Sequence, residues 1–284
     1  MTSPSPIWYF GPDWDLRPLV CPEPNIEMPI ERYGGVFQAL SGARTMDVTG
    51  HKQRFTLELQ YLDPSEFAWL ESLHRRAIPG PFRLLNPTRK NLLSAKGSLL
   101  KVAPGYNTAG QGAAAGGGML MQVRDWPPTA PTLGDLAVKW TSASGSYVRL
   151  DPRHMFPVTP GEDVTVSAYM KGVNPADDAF LILDWYDKTR TAIASVNSGV
   201  QVIGDNWGRV TFTGTPPAGA YTARMAFYTG ESTPVYMAAA QAEYGSSATT
   251  WELGGGAPRV LMDALDLRSP RFPYVNTTLS LLEA

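Results

Sequence analysis

The sequence predicts a mainly β protein that is divided into two units, and three observations support this. Glycine (27 residues) and proline (25 residues) recur between short runs rich in valine, threonine and aromatic residues, which is typical of strands joined by turns. The chain has 284 residues, more than the roughly 100–200 of a typical domain. Near Asn91 the pattern changes from mixed strand and helix to regularly spaced short strands.

The first secure element is a half-buried strand in KQRFTLELQYL, residues 52–62. Apolar and polar residues alternate there, which places every second side chain on one face. The predicted core face consists of Phe55, Leu57, Leu59 and Tyr61. Glycines in the preceding segment, ERYGGVFQALSGARTMDVTG, predict a hairpin turn or a bulge.

A short amphipathic helix is predicted next, in PSEFAWLESLHRRA. Ser65 is the expected cap and Glu66 suits the first turn, while Arg75 complements the dipole in the last turn. Pro79 and its neighbours end the helix. The residues at spacings of three and four, which predict the buried face, are Phe67, Leu70, Leu73 and Ala77.

The segment after Asn91 reads as an all-β sandwich or jelly roll. Its predicted strands are SYVRL, DVTVSAYMKG, AFLILDWYD, GRVTFTG, YTARMAFYTG and VYMAAAQAEYG. The alanine- and glycine-rich AGQGAAAGGGMLMQV lacks the lysine of a phosphate loop and is interpreted as a flexible loop. The segment is expected to close near Trp251, where Gly254–Gly256 form a flexible joint.

The remaining residues, from Pro258 to Ala284, are too few to bury a core of their own, yet they contain two apolar runs. We therefore expect them to return to the first unit as strands. The predicted domains are residues 1–90 with 257–284, and an inserted domain at 91–256. The ends of an inserted domain commonly lie close together, so this topology costs little.

Composition excludes several classes of function. A formal net charge of -2 offers no broad basic surface, so no nucleic-acid contact is predicted. Cys21 is the single cysteine, which excludes an intrachain disulfide and a thiolate cluster within one chain. No run approaches the roughly 18 apolar residues of a membrane span, and the opening residues lack a secretory signal pattern. We expect maturation in a reducing cytoplasm.

The candidate catalytic groups do not form a recognisable pattern. The three histidines, His51, His74 and His154, have no metal-ligand spacing. Two acidic pairs remain, Asp177 with Asp178 and Asp184 with Asp187. Glycoside hydrolysis requires two carboxylates at a set separation, which the sequence does not establish. The sequence thus predicts no enzyme, no catalytic residue, no metal site and no cofactor.

A binding face is the stronger prediction. Alternation in LILDWYD, YTARMAFYTG and SYVRL places one set of side chains in the core and the other on the opposite face. If these strands share a sheet, that second set forms an aromatic and polar surface suited to stacking on sugar rings. The candidate carbohydrate-binding residues are Tyr147, Arg149, Asp184, Tyr186, Arg224 and Tyr228. The alternative is that they are ordinary exposed strand residues or contacts to a neighbouring protein.

Residues 32–87 resemble the N-terminal domain of phage distal tail and minor tail proteins. The shared cues are the glycine-punctuated hairpin, the long alternating strand, the short helix and a GPF strand that ends in a proline. The resemblance implies a tail-tube-like β-sandwich that assembles as a hexameric ring between the tail tube and the other tail-tip proteins. It also implies location in the virion after assembly in the host cytoplasm.

The central segment resembles a galactose-binding-like jelly roll of the carbohydrate-binding-module type. The residues that carry this are NLLS at 91, FPVTPGEDVTVSAYMKG at 156, LILDWYD at 181, NWGRVTFTGTPPAGAYTARMAFYTG at 206 and AAQAEYGSSATTWELG at 239. The resemblance implies sugar binding and, in some members, a structural calcium ion. No dense acidic cluster opens the segment. The combined hypothesis is a structural tail-tip protein with a lobe that binds host-surface carbohydrate; the alternative is a carbohydrate-binding adhesin or an accessory module of a glycan-active system.

Overall fold

The computed structural model describes residues 7–19, 26–47, 49–101, 106–110, 118–141, 146–151, 154–230 and 233–284. Cys21 and most of the alanine- and glycine-rich run lie outside these residues. Strands make up 49% of the structure and helices 7%, so the prediction of a mainly β fold is confirmed.

The elements are numbered in chain order. The first group contains β1 (Tyr9–Gly11), β2 (Arg17–Pro18), β3 (Ile30–Tyr33), β4 (Val36–Gln38), β5 (Arg44–Met46), β6 (Gly50–Leu62), α1 (Pro64–His74) and β7 (Phe82–Leu85). The central group contains α2 (Ala95–Ser98), β8 (Tyr106–Gly110), β9 (Met119–Val123), β10 (Ala137–Thr141), β11 (Ser146–Leu150), β12 (Phe156–Pro157), β13 (Val164–Lys171), β14 (Asp178–Tyr186), β15 (Ala192–Asn197), β16 (Gln201–Val202), β17 (Gly208–Gly214), β18 (Thr222–Thr229) and β19 (Pro234–Tyr244). The last group contains β20 (Arg259–Leu265), β21 (Arg268–Arg271) and β22 (Tyr274–Glu283).

One compact unit is discontinuous in sequence and comprises Ile7–Leu84 with Pro258–Ala284. Its main sheet has the order β2-β1-β7-β20-β22-β6-β3, and β21 pairs with β22. The C-terminal strand β22 therefore lies inside the sheet, between β20 and the long strand β6. Phe55, Leu57, Leu70 and Leu281 belong to its buried core, so residues from both parts of the chain bury one another's apolar surface.

The long strand follows the predicted alternation only as far as Leu59. Phe55, Leu57 and Leu59 are buried, but Tyr61 is 62% exposed and the prediction that it faces the core is wrong. The backbone at Tyr61 adopts φ +53°, a left-handed conformation that interrupts the two-residue period of a strand. Leu62, the next residue, is buried instead.

The helix α1 is present, with different ends from those predicted. Asp63, not Ser65, is its N-cap, and the Asp63 N–H donates to the Glu66 carboxylate at 2.9 Å. The helix ends at His74, so Ala77 lies beyond it and is exposed. Pro64 occupies the first helical position, which it suits because its ring fixes φ and it has no N–H to satisfy. Trp69, Leu70 and Leu73 form the buried face.

The second compact unit, here called the central unit, spans Leu85–Ala257 among the described residues. It contains a five-stranded sheet, β17-β13-β19-β10-β9, and a seven-stranded sheet, β15-β14-β18-β11-β8, in which β12 pairs with β18 and β16 with β14. Trp140 and Val166 from the first sheet and Trp185 and Phe227 from the second share one buried core. The central unit is therefore a β sandwich, the class to which jelly rolls belong.

The glycines at the end of the central unit are packed, which corrects the prediction of a flexible joint. A Cβ atom on Gly254 would lie 2.3 Å from the Leu93 carbonyl oxygen, and one on Gly256 would lie 2.6 Å from that of Arg89. The Gly254 N–H donates to Ser98 Oγ at 2.9 Å, and the Gly256 N–H donates to the Asn91 carbonyl at 2.8 Å. Glycine is required here for close backbone approach.

Asn91 ties the beginning of the central unit to its end. Its side chain is fully buried. The Nδ2 group donates to the carbonyl oxygens of Ala240 (3.1 Å) and Glu252 (2.8 Å). Its Oδ1 atom accepts from the N–H groups of Leu93 and Ala242, both at 3.2 Å. One amide thus satisfies four backbone groups that have little access to water.

Candidate carbohydrate-binding face

All six residues of the predicted binding face lie on one side of the seven-stranded sheet. Leu181, Leu183 and Trp185 of β14 face the core and are fully buried, so Asp184 and Tyr186 face the other side. In the strand register Asp184 is opposite Arg224, and Tyr228 is opposite both Tyr147 and Phe180. Arg149 is two residues from Tyr147 and therefore shares its side. We call this surface the tyrosine–arginine face.

An aspartate between two arginines forms the centre of the face. Asp184 Oδ2 lies 3.1 Å from Arg149 Nε and 3.6 Å from Arg224 Nη2. Ser195 Oγ donates to Asp184 Oδ1 at 2.9 Å. The Asp184 side chain is 6% exposed, whereas Arg224 is 12% and Arg149 is 31% exposed. The guanidinium of Arg149 is therefore the charged group of this cluster that solvent reaches most easily.

Aromatic rings flank both arginines. The Arg149 guanidinium lies 4.0 Å from the centre of the Tyr147 ring, and its Nη1 donates to Tyr147 Oη at 2.9 Å. The Arg224 guanidinium lies 5.5 Å from the centre of the Tyr186 ring. Such cation–π contacts fix the orientation of a guanidinium and contribute about 0.5–2 kcal/mol each. The arginine head groups are thus held in place before any ligand arrives.

A second aromatic pair lies next to Tyr147, because Tyr228 is opposite both Tyr147 and Phe180. The rings of Phe180 and Tyr228 are stacked, with centres 4.3 Å apart and planes inclined by 25°. Six residues separate Phe180 from Tyr186 along β14, a distance of about 20 Å at the rise of an extended strand. The face is therefore long enough to contact several consecutive units of a sugar chain.

The predicted residues differ in how much surface they offer to a ligand. Tyr147 and Tyr228 are half-buried, whereas Tyr186 is buried. Burial raises the pKa of Tyr186 above its ordinary value, and attraction to the Arg224 guanidinium opposes part of that rise. Tyr186 therefore stays neutral, and the centre of its ring lies 5.5 Å from the guanidinium of Arg224.

Sequence reasoning missed two members of the face. Phe180 continues the alternation of Ile182 and Asp184 by one more step toward the start of β14, so that alternation could have identified it. Ser195 lies on β15 opposite Asp184. The β15 sequence AIASVN gives no signal for the role of Ser195. Which β15 residue lies opposite Asp184 depends on the register between β14 and β15, and that register shifts between Trp185 and Tyr186.

Two of the four acidic residues considered for catalysis, Asp177 and Asp187, bond neighbouring loop residues, whereas Asp178 begins β14. Burial works against ionisation of Asp177, but hydrogen bonds from the Asn174 side chain and from the N–H groups of Asn174 and Val173 outweigh it and lower the Asp177 pKa. The Thr189 hydroxyl and the Thr191 N–H lower the pKa of Asp187 in the same way. Asp184 belongs to the arginine cluster instead.

The histidines are dispersed. His51 lies on β6 and His74 ends α1, and both are exposed, whereas His154 belongs to the central unit. Within the described residues no three His, Cys, Asp or Glu side chains are grouped to hold a metal ion. In that same part of the chain, none of the helices has the length and apolar character needed to cross a membrane.

Neither a family model nor a curated protein matches this sequence. Among solved structures, the enzymatically active domain of tailspike protein 4 of bacteriophage CBA120 is 12% identical with a TM-score of 0.43, and the match covers 55% of this chain and 21% of that one. The xylan-binding domain of carbohydrate-binding module family 22 is 11% identical with a TM-score of 0.38, covering 55% of this chain and 95% of its own.

A third similar structure is TmCBM61 in complex with β-1,4-galactotriose, at 13% identity and a TM-score of 0.35, covering 55% of this chain and all of that module. The matches span only 21%, 29% and 27% of three larger chains, the tailspike among them. All of these TM-scores are below 0.5, so the likenesses carry no argument about function. The case for a binding role is the chemistry of the tyrosine–arginine face itself.

Proposed function

We propose that this protein is a structural component of a phage tail tip and that its central unit binds host-surface carbohydrate. The observation that carries the binding role is the arrangement on the tyrosine–arginine face, where Tyr147, Arg149 and Tyr228 combine aromatic surface with fixed hydrogen-bond donors. Aromatic faces stack on the apolar faces of sugar rings, and oriented donors bind hydroxyl groups.

Replacing a stacking residue tests the binding role. We expect Tyr228→Ala to weaken glycan binding about tenfold, since an aromatic contact contributes up to about 1.5 kcal/mol. The matched control is Tyr236→Ala, because Tyr236 is a half-buried tyrosine of the five-stranded sheet that lies 5.1 Å from Lys171 Nζ. Glycan arrays followed by titration calorimetry on the full chain measure the glycan affinity of both variants. Equal binding by the wild type and Tyr228→Ala would contradict the proposed role.

The proposed tail-tip role assigns the discontinuous unit to a homo-hexameric ring that contacts the tail tube and other tail-tip proteins. Supporting this, residues 30–46 expose several large apolar side chains: Ile30, Tyr33, Val36, Phe37, Leu40 and Met46. Gly42, with φ +83°, lies in the turn of the β4–β5 hairpin that carries most of them. Exposed apolar groups of this kind mark protein–protein contacts.

The mass of the assembled protein tests the ring. We expect light scattering on the purified full chain to give a mass of six copies at high concentration, and images of intact tails to contain a ring with peripheral lobes. A protein that stays monomeric at every concentration, and is absent from such a ring in the tail, would favour the alternative of a carbohydrate-binding adhesin or accessory module.

A further inference from the structure

The charges on the tyrosine–arginine face do not balance. Two guanidinium groups, those of Arg149 and Arg224, share the single carboxylate of Asp184. We propose that the ligand of this face is an anionic glycan, a sugar chain that carries carboxylate or phosphate groups. This inference rests on the proposed carbohydrate-binding function and specifies the chemical class of the ligand.

The hydrogen-bonding capacity of the cluster supports an anionic partner. Each guanidinium has five N–H donors, whereas a carboxylate offers about four acceptor positions, and Ser195 occupies one of those on Asp184. The Nε atoms of Arg149 and Arg224, and the Asp184 Oδ2 atom that they face, are buried without a well-aligned hydrogen bond among the described residues, so a ligand can reach only the exposed part of the Arg149 side chain, which is 31% exposed, and the smaller exposed part of Arg224. The 3.1 Å contact of Arg149 Nε with Asp184 is thus close enough for attraction but poorly directed.

The positions paired directly with the cluster carry no further negative charge; the nearest acidic residue along the chain is Asp151, which follows β11 two residues after Arg149. Across the register, the residues adjacent to Asp184, Arg224 and Arg149 on the described strands are neutral: Ile182, Ser195, Asn197, Thr222 and Ala226. The next carboxylate on the same side of β14 belongs to Asp178, six residues from Asp184. That separation is about 20 Å, which exceeds the screening length of about 8 Å at physiological salt.

The geometry favours an oxyanion over a neutral hydroxyl. A guanidinium binds carboxylate and phosphate groups through two parallel hydrogen bonds, and such charged bonds are about twice as strong as neutral ones. Arg149 is already oriented by the Tyr147 ring and hydroxyl, so little conformational entropy is lost when it binds. Tyr147 and Tyr228 are opposite each other on neighbouring strands, and Arg149 follows two residues after Tyr147, so a sugar ring against either tyrosine would place an acidic substituent near Arg149.

Paired glycans that differ only in charge test the inference on the full chain. One pair is oligogalacturonate and its methyl ester, and the other is phosphorylated dextran and the same dextran after phosphatase treatment. We expect at least one acidic member to bind about tenfold more tightly than its neutral partner by calorimetry. This advantage should shrink when the salt concentration is raised from about 0.05 M to about 0.5 M, because the Debye length shortens. The pair that shows the larger ratio identifies the anionic group.

Variants separate charge recognition from stacking. Arg149→Gln should reduce the acidic-to-neutral affinity ratio toward one. Arg149→Lys should keep part of this ratio, because lysine retains the positive charge but cannot form the two parallel hydrogen bonds of a guanidinium. Tyr228→Ala should weaken acidic and neutral glycans in parallel and leave the ratio unchanged. Arg209→Gln is the matched control, since Arg209 also lies beside a tyrosine ring, at 5.7 Å from Tyr169, but on the five-stranded sheet. Melting curves verify that each variant is folded.

The possible outcomes distinguish the two proposals. Equal affinity for both members of each pair, or a ratio that Arg149→Gln leaves intact, would overturn the anionic-ligand inference while the carbohydrate-binding role stands. If the folded wild-type protein binds none of the four glycans, both proposals are overturned. A preference for an acidic member that Arg149→Gln removes and Arg209→Gln preserves would support both.

Discussion

Leu281→Asp is expected to unfold the discontinuous unit in the otherwise intact chain. Leu281 is fully buried on β22, between Phe55 of β6 and Met262 of β20. Removing a buried leucine side chain costs about 2–5 kcal/mol, and placing an unpaired carboxylate among apolar groups adds several more. The sum approaches the whole stability of a typical domain, about 5–15 kcal/mol.

Hydrogen exchange followed by mass spectrometry measures this effect segment by segment. We expect peptides from β6, β20 and β22 to lose their protection in Leu281→Asp. Leu261→Asp is the matched control, because Leu261 lies on the adjacent strand β20 and is exposed; its peptides should exchange as in the wild type. Retained protection of β6 in Leu281→Asp would mean that the C-terminal strand is not part of this core in solution.

Asn91→Ala is expected to lower the free energy of unfolding of the central unit by about 3–5 kcal/mol. The substitution leaves the carbonyl oxygen of Glu252 and the N–H groups of Leu93 and Ala242 without their side-chain partner, whereas the Ala240 carbonyl keeps its hydrogen bond from Trp251 Nε1. Each buried polar group left unsatisfied costs about 1–3 kcal/mol. Water entering the space of the lost amide offsets part of the total.

Chemical denaturation monitored by tryptophan fluorescence provides the measurement, because Trp140, Trp185 and Trp251 are all buried in the central unit. Asn206→Ala is the control, since Asn206 is exposed and its side chain donates to the carboxylate of the neighbouring Asp205. We expect the control to unfold at the wild-type midpoint. A midpoint shift of Asn91→Ala no larger than that of the control would show that Asn91 does not join the two ends of the unit.

Local pattern was sufficient to predict which side of β14 faces the core. Leu181, Leu183 and Trp185 alternate so regularly that their opposite neighbours had to share a face if the strands shared a sheet. The alternation failed at Tyr61, where a positive φ angle reversed the direction of the following side chains. The N-cap of α1 was displaced by two residues because serine and aspartate cap equally well, and Pro64 fixes which of them does.

The interactions within the face could not be predicted in the same way. Asp184 meets Arg224 through the pairing of β14 with β18, forty residues apart in sequence, and the register of that pairing is set by the buried side of the sheet. Asp184 also accepts a hydrogen bond from Ser195, which lies on a third strand, β15. The prediction of a flexible joint at Gly254–Gly256 was wrong for a related reason. The residues that pack against these glycines, Leu93 and Arg89, are far away in sequence.

The position of a bound sugar tests the central claim most directly. A crystal structure of the full chain soaked with the tightest-binding oligosaccharide should contain the sugar on the tyrosine–arginine face, with a ring against Tyr147 or Tyr228 and an acidic group within hydrogen-bonding distance of Arg149. A sugar bound on the five-stranded sheet near Tyr236, with the tyrosine–arginine face empty, would contradict the account.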